Sequence, residues 1–420
     1  MVPPDLIGIY FGLLIMLCNV NKEMKGKKEG DMANIVEPIT ASPSKAELDF
    51  RMDKIRSFMA REQLDFYVAA HTDNVYYLTN FVYIPFERPF FLIVSAEGKS
   101  SLIVPLLEVS HAEQRILIDV NYHTYYEYPA PAGKTFADAL SKVIGAEKKV
   151  GIESSLSIAL EKTIPGKVVV TDLIDEARLV KTDYEIGRIA YASNVTEQGL
   201  KKVMELAKPG AQFASIYSAG NQEMMVKVVM EVPDVNMLMT KLFAAVWPKA
   251  LSAQPHSIPG LFDALEDGGP NVTIIAAQAN GYSAELERTF FIKTVPDKAE
   301  KLFDLSMAAR QKAFDLIKPG VRAEDVDKEV LQIIKDTGYG DNILHRTGHG
   351  FGITGHEPPW IALGSEHVLE KNMVISIEPG IYVEGVGGFR HSDTVLITDN
   401  GCVSLTHYPD KLEDLILSVE

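Results

Sequence analysis

Two histidines, His349 and His356, stand seven residues apart in R-T-G-H-G-F-G-I-T-G-H-E-P-P-W (residues 346–360), a stretch with four glycines that closes on Pro-Pro-Trp. Histidine titrates near neutral pH, moves protons and ligates metals. The pair therefore reads as metal ligands, proton shuttles or packed core residues, and local spacing leaves all three open. Glu378 ends the apolar run M-V-I-S-I (373–377). A carboxylate there is costly unless paired, which marks it for function. Glu285 and Glu287 share one face of a strand because side chains alternate. From spacing alone that pair reads as a solvated edge.

The elements that position these residues follow from periodicity. Residues 44–59 carry apolar positions at helical spacing, with Ser42 or Ser44 as the cap. Short β-branched runs at 66–69, 90–94, 101–104, 150–152 and 168–170 alternate with helical patterns at 106–114 and 136–144. That alternation indicates an α/β layer domain. The charged stretch 174–189 reads as the junction into a second domain. There the chain repeats itself: L-K-K-V-M-E-L-A-K-P-G (200–210) returns as R-Q-K-A-F-D-L-I-K-P-G (310–320), offset by 110 residues. Each is a helix stopped by Pro-Gly. A duplicated helix pair with its strands places a site between the halves. Asn280-Gly281 predicts a hairpin between strands at 272–276 and 282–293. Two further strands are expected at 373–377 and 389–398.

Composition limits the partners. The chain has 420 residues and a formal net charge of −16. Nucleic acid is excluded as the main partner, because phosphate binding needs a basic stripe. Two cysteines, Cys18 and Cys402, are too few for a disulfide framework and indicate a reducing, cytoplasmic setting. The apolar run 6–18 is shorter than the roughly 20 residues that span a bilayer, and its basic residues follow rather than precede it. Residues 1–40 are read as a disordered or weakly anchored leader, 41–175 as an N-terminal α/β domain and 176–420 as the catalytic domain.

The ordered motifs Gln254-Pro255-His256, G-Y-S-A-E-L-E-R-T-F (281–290), T-G-H-G-F-G-I-T-G-H-E-P-P (347–359), S-I-E-P-G (376–380) and G-F-R-H-S-D-T-V (388–395) resemble the creatinase, Xaa-Pro aminopeptidase and prolidase superfamily. The resemblance covers about residues 45–415. It implies a mixed α/β chain: a duplicated pita-bread catalytic domain behind a smaller creatinase-like domain. Peptidase members hold two divalent ions on two aspartates, a histidine and two glutamates. Those positions fall here on Ile274, Glu285, His349, Glu378 and Ser392, and neither isoleucine nor serine replaces a carboxylate toward a hard cation.

The departures resemble creatinase, which hydrolyses a guanidino C–N bond without metal. On that resemblance His256 matches the catalytic histidine, Glu287 the substrate-binding glutamate and Glu378 the second carboxylate. Phe86 and Arg88 match a segment that reaches the neighbouring subunit's site, which implies a homodimer with Arg88 on a substrate carboxylate. The expected enzyme is a metal-independent C–N hydrolase of a small carboxylate-bearing substrate. In it His256 moves protons, Glu287 and Glu378 hold a cationic nitrogen, and His349 and His356 orient or relay. Its alternative is a metal-dependent Xaa-Pro dipeptidase or aminopeptidase, with Mn, Co or Zn held by Glu285, His349 and Glu378. A third class is a non-catalytic binding protein on the same fold.

Overall fold

The computed structural model describes residues 36–418, so the apolar run 6–18 of the expected leader lies outside the described residues. Six strands form the first sheet: β1 (Phe66–Ala69), β2 (Phe91–Ser95), β3 (Ser100–Pro105), β4 (Val120–Tyr125), β5 (Lys149–Ile152) and β6 (Lys167–Val170), in the order β4-β3-β2-β1-β5-β6. Around them run α1 (Lys45–Glu62), α2 (Thr72–Thr79), α3 (Val109–Arg115), α4 (Phe136–Val143), α5 (Ile158–Glu161) and α6 (Leu173–Leu179). Ser44 caps α1 by accepting from the Glu47 N–H, which satisfies one of the orphan donors at a helix start. Two elements escaped the apolar-run reading. β4 spells V-N-Y-H-T-Y and is buried only at its ends; α2 is rich in β-branched and aromatic residues that favour strands.

The second unit repeats a helix pair: α7 (Asp183–Leu206) with α8 (Phe213–Glu231), and α9 (Asp297–Leu316) with α10 (Ala323–Asp336). The predicted Lys-Pro-Gly stops are both real, and each glycine takes a positive φ, 82° at Gly210 and 88° at Gly320. Even the backbone pairing repeats. Gly210 N donates to Leu265 O and Gly320 N to Leu369 O, both at 2.8 Å. Gln212 bridges Ala264 as Arg322 bridges Val368.

Between the pairs lies a sheet made from β7 (Lys241–Trp247), β8 (Gly268–Ala279), β9 (Tyr282–Glu287), β10 (Thr289–Ile292), β11 (Gly348–Gly350), β12 (Glu357–Ile361) and β13 (Val374–Ile377). A separate ribbon, β14 (Gly380–Val383) with β15 (Gly387–Arg390), follows; then β16 (Ser392–Ile397), β17 (Cys402–Ser404) and β18 (Ile416–Leu417) return to the sheet. The continuous strand expected at 389–398 therefore breaks at His391, where the chain leaves the ribbon for the sheet. The Asn280-Gly281 hairpin forms as predicted, with φ of 49° and 102°, the left-handed pair such a two-residue turn requires.

Register decides where the site falls. Across β7, β8 and β9, Phe243 pairs with Ala276 and Ala276 with Glu285; one row away Lys241, Gln278 and Ser283 align, and on the other side Ala245 pairs with Ile274. Glu287 pairs with Ser392, and Ser376 with Thr394. Strand neighbours alternate faces, so Glu285, Glu287, Ile274, Gln278, Ser283 and Ser392 share one face. The alternate positions Ile275, Ala277, Leu286, Val395 and Ile375 belong to the apolar core that includes Val195, Leu200 and Ala309 of the helices. Glu285 and Glu287 are thus interior, 8% and 1% exposed, and not the solvated edge their spacing suggested. β9 is flanked by β8 and β16, neighbours that alternation within one strand cannot reveal.

Candidate active site

A cleft of about 570 Å³ opens on that face, lined on one side by Phe213, Tyr217, Phe243, Trp247 and Ile274 and on the other by Glu285, Glu287, Glu378, His356 and Arg390. His349 is buried behind, at 1% exposure. Its Nδ1 donates to Gly350 O at 3.1 Å, since a carbonyl only accepts. Nε2 is thereby turned to Glu378 Oε1 at 3.0 Å. A neutral ring in that tautomer would aim a lone pair at a carboxylate. A proton or a metal ion at Nε2 resolves that repulsion. Burial, the largest single effect, lowers the His349 pKa, but the hydrogen bond and charge of Glu378 together with the Glu285 charge raise it overall. Burial likewise pushes Glu378 up, yet the His349 hydrogen bond and charge hold it down at about 2. Ser376 Oγ braces both residues, accepting from His349 N at 2.9 Å and donating to Glu378 Oε1 at 3.1 Å.

His356 stacks on His349 with ring centroids 3.8 Å apart and 24° between planes. Burial and the His349 charge lower it to about 4, so near neutrality it presents an uncharged ring to the cleft. Burial raises Glu285 and Glu287, the Glu378 charge adding to it for Glu285. Arg390 opposes this for Glu287, donating from Nη2 to Oε1 at 2.8 Å and forming an ion pair between Nε and Oε2. The arginine also donates to Tyr382 Oη at 3.2 Å, and Tyr382 donates to His345 Nε2 at 2.8 Å. His345 Nδ1 in turn donates to Arg346 O at 2.8 Å. That directional chain locks the guanidinium.

The structure therefore brings together Glu285, Glu287, His349, His356 and Glu378. His256 lines the same cleft from an exposed loop, held by Trp247 Nε1 on Ser257 O and Phe213 N on Asp263 O. Phe86 and Arg88 do not line their own chain's cleft: Arg88 pairs with Glu127 at 2.6 Å, and Phe86 is 73% exposed with φ 48°. Sequence reasoning missed Arg390, Tyr382 and His345. The available signal was an arginine inside an apolar strand pattern, which is as costly to bury unpaired as Glu378.

Residues 187–399 match Metallopeptidase family M24, and residues 51–180 match the Creatinase/Prolidase N-terminal domain. YkvY of Bacillus subtilis is 30% identical over 83% of this chain and 94% of its own. The chain belongs to metallopeptidase family M24. An Xaa-Pro dipeptidase of Pyrococcus furiosus is 28% identical over 85% of the chain and 97% of its own. The crystal structure of a prolidase from Pyrococcus horikoshii OT3 superposes with a TM-score of 0.74 at 26% identity, covering 86% of this chain and 99% of that one. As an M24 member this is an enzyme of the C–N hydrolase, peptidase class on the pita-bread fold. The relatives favour the peptidase alternative over the creatinase-like main expectation, and a divalent metal over none.

Which metal set fits is a matter of donors. Ile274 is an apolar wall of the cleft, Ser392 is wholly buried, and both Glu287 oxygens engage Arg390. A two-ion centre does not fit these residues. A single ion does. Ligating atoms of Glu285, His349 and His356 all lie within 4.8 Å of one another. Glu285 Oε1 is buried without a hydrogen-bond partner among the described residues, a state that calls for a cation.

Proposed function

We propose that this chain hydrolyses the C–N bond of a dipeptide-sized substrate, with one divalent ion, held by Glu285, His349 and His356. The observation that carries the reading is the unbalanced floor of the cleft. Glu285, Glu287 and Glu378 have oxygens within 4.8 Å of one another, with Arg390 as the fixed cation among them. A bound ion would supply Lewis-acid polarisation of a carbonyl or a water. His256, at the rim, moves the proton between water and the leaving nitrogen, and Glu378 stays anionic beside His349. Arg390 with Glu287 offers remaining guanidinium hydrogens to the substrate. Arg88 of a second copy is the counterpart for a substrate carboxylate in a homodimer.

A second reading, creatinase-like hydrolysis without metal, is favoured by Ile274 and Ser392, which remove two of five carboxylates. The experiment is metal content of the purified protein, with cleavage of Xaa-Pro dipeptides before and after chelation. One equivalent of metal and chelator-sensitive cleavage support the first reading. Full activity in metal-free protein selects the second.

A further inference from the structure

The cleft has a second arm that the catalytic cluster does not use. A cavity of about 460 Å³ lies beyond Glu285 and His356, lined by Asp73, Lys241, Gln278, Ser283 and Thr354, and shares Phe243, Glu285 and His356 with the first. Its floor is the next row of the same sheet face, Lys241–Gln278–Ser283. The small Ala276, between Phe243 and Glu285, leaves that floor open.

Two polar atoms there lack hydrogen-bond partners among the described residues. Gln278 Nε2 donates to Ile353 O at 2.5 Å, which fixes the amide and leaves Oε1 as a buried acceptor without a donor. Ser283 Oγ is likewise buried and unpartnered. The residues are 8% and 3% exposed, and orphaned groups at such depth are satisfied by a ligand or by water. Over them stands Asp73 at the start of α2, its side chain 13% exposed and its Oδ2 3.7 Å from His71 Nδ1. Lys241, in the same row, is the lysine of the lining and is solvent-exposed, whereas Gln278 and Ser283 are buried. The arm thus offers an anion, an amide oxygen and a hydroxyl: an acceptor set.

We infer that this arm is a subsite for a primary ammonium on a flexible stem, the side chain of a basic residue on one side of the scissile bond. Alternate residues along a strand lie about 7 Å apart, so the Gln278–Ser283 row is about that far from the Glu285 row. A free α-amine next to the scissile carbonyl is too near to span it, whereas the four-carbon stem of a lysine covers about 6 Å. This rests on the proposed cleavage of a dipeptide-sized substrate at the Glu285–His356 end.

The test compares Lys-Pro with norleucine-Pro, which keeps the stem and lacks the charge, in wild type, Asp73→Asn and Ser283→Ala. Alongside it, calorimetry measures n-pentylamine binding to the same three proteins. The expected result is at least a tenfold kcat/KM preference for Lys-Pro that falls toward one in Asp73→Asn and shrinks in Ser283→Ala. Equal kcat/KM for the two dipeptides in wild type overturns the subsite and leaves the hydrolase standing. If neither dipeptide is cleaved, the proposed function fails and the amine decides. Binding that weakens at least tenfold in Asp73→Asn then supports the subsite; absent or unchanged binding overturns it.

Discussion

His349 Nε2 lies 3.0 Å from Glu378 Oε1 while its Nδ1 faces Gly350 O, an arrangement that a proton or a metal ion at Nε2 joins. Glu378→Gln removes the anion while keeping the shape. The expected outcome is a loss of kcat/KM of roughly 10²-fold or more, with the circular dichroism spectrum retained. Activity within threefold of wild type would take Glu378 out of the reaction. His256→Ala should abolish turnover with the fold intact.

The two missing carboxylates make a gain-of-site prediction. Ile274→Asp with Ser392→Glu returns both hard-oxygen ligands to the face that holds Glu285 and Glu378. Bound Mn, Co or Zn, read by plasma mass spectrometry, should rise from one equivalent per chain toward two. An unchanged stoichiometry would mean that Arg390, rather than ligand number, limits the site.

Arg390→Lys tests the guanidinium geometry. Lysine keeps the charge but not the two-point contact with Glu287 or the donation to Tyr382. Turnover should fall by at least tenfold with little rescue over alanine. A lysine variant near wild-type activity would show that charge alone suffices.

Arg88 and the dimer are tested by mixing. In a dimer that shares residues across subunits, Arg88→Ala and His256→Ala are each inactive, yet a heterodimer keeps one intact site. Refolded one-to-one mixtures should recover up to about one quarter of wild-type activity by random pairing of a twofold dimer. No recovery in a mixture shown by light scattering to be dimeric would place Arg88 elsewhere.

Glu357 gives the pH dependence of stability. Burial would raise its pKa, but Arg178 and Lys181, with Lys181 Nζ 3.0 Å away, bring it down to about 2. A depressed carboxyl contributes stability that is present above its unfolded value, about 4.5, and lost as pH falls toward 2. The contribution is on the order of 3 kcal/mol. Urea midpoints should fall between pH 5 and 3 in wild type and fall less in Glu357→Gln. The variant should also be less stable at pH 7 by roughly 3–5 kcal/mol, because two buried cations lose their partner.

Much of this was legible in the chain. Strand and helix identities, the Asn280-Gly281 turn and the repeated Lys-Pro-Gly stops depend on local sterics and periodicity, which a sequence carries directly. The shortage of ligands became legible through the family resemblance, which maps two carboxylate positions onto Ile274 and Ser392. Glu378 was found because a carboxylate closing an apolar run is costly wherever that run is buried.

Tertiary structure decided the rest, because it depends on which strands become neighbours. Pairing of β9 with both β8 and β16 turned Glu285 and Glu287 from an expected edge into a buried floor. Departure of the chain from its ribbon at His391 set Arg390 against Glu287 and Tyr382. The orphaned oxygens of Gln278 and Ser283 arise from register across β7, β8 and β9, and Asp73 joins them from the other sheet's helix. Periodicity tells a residue which face it shares within its own strand; only the assembled sheet tells it what stands opposite.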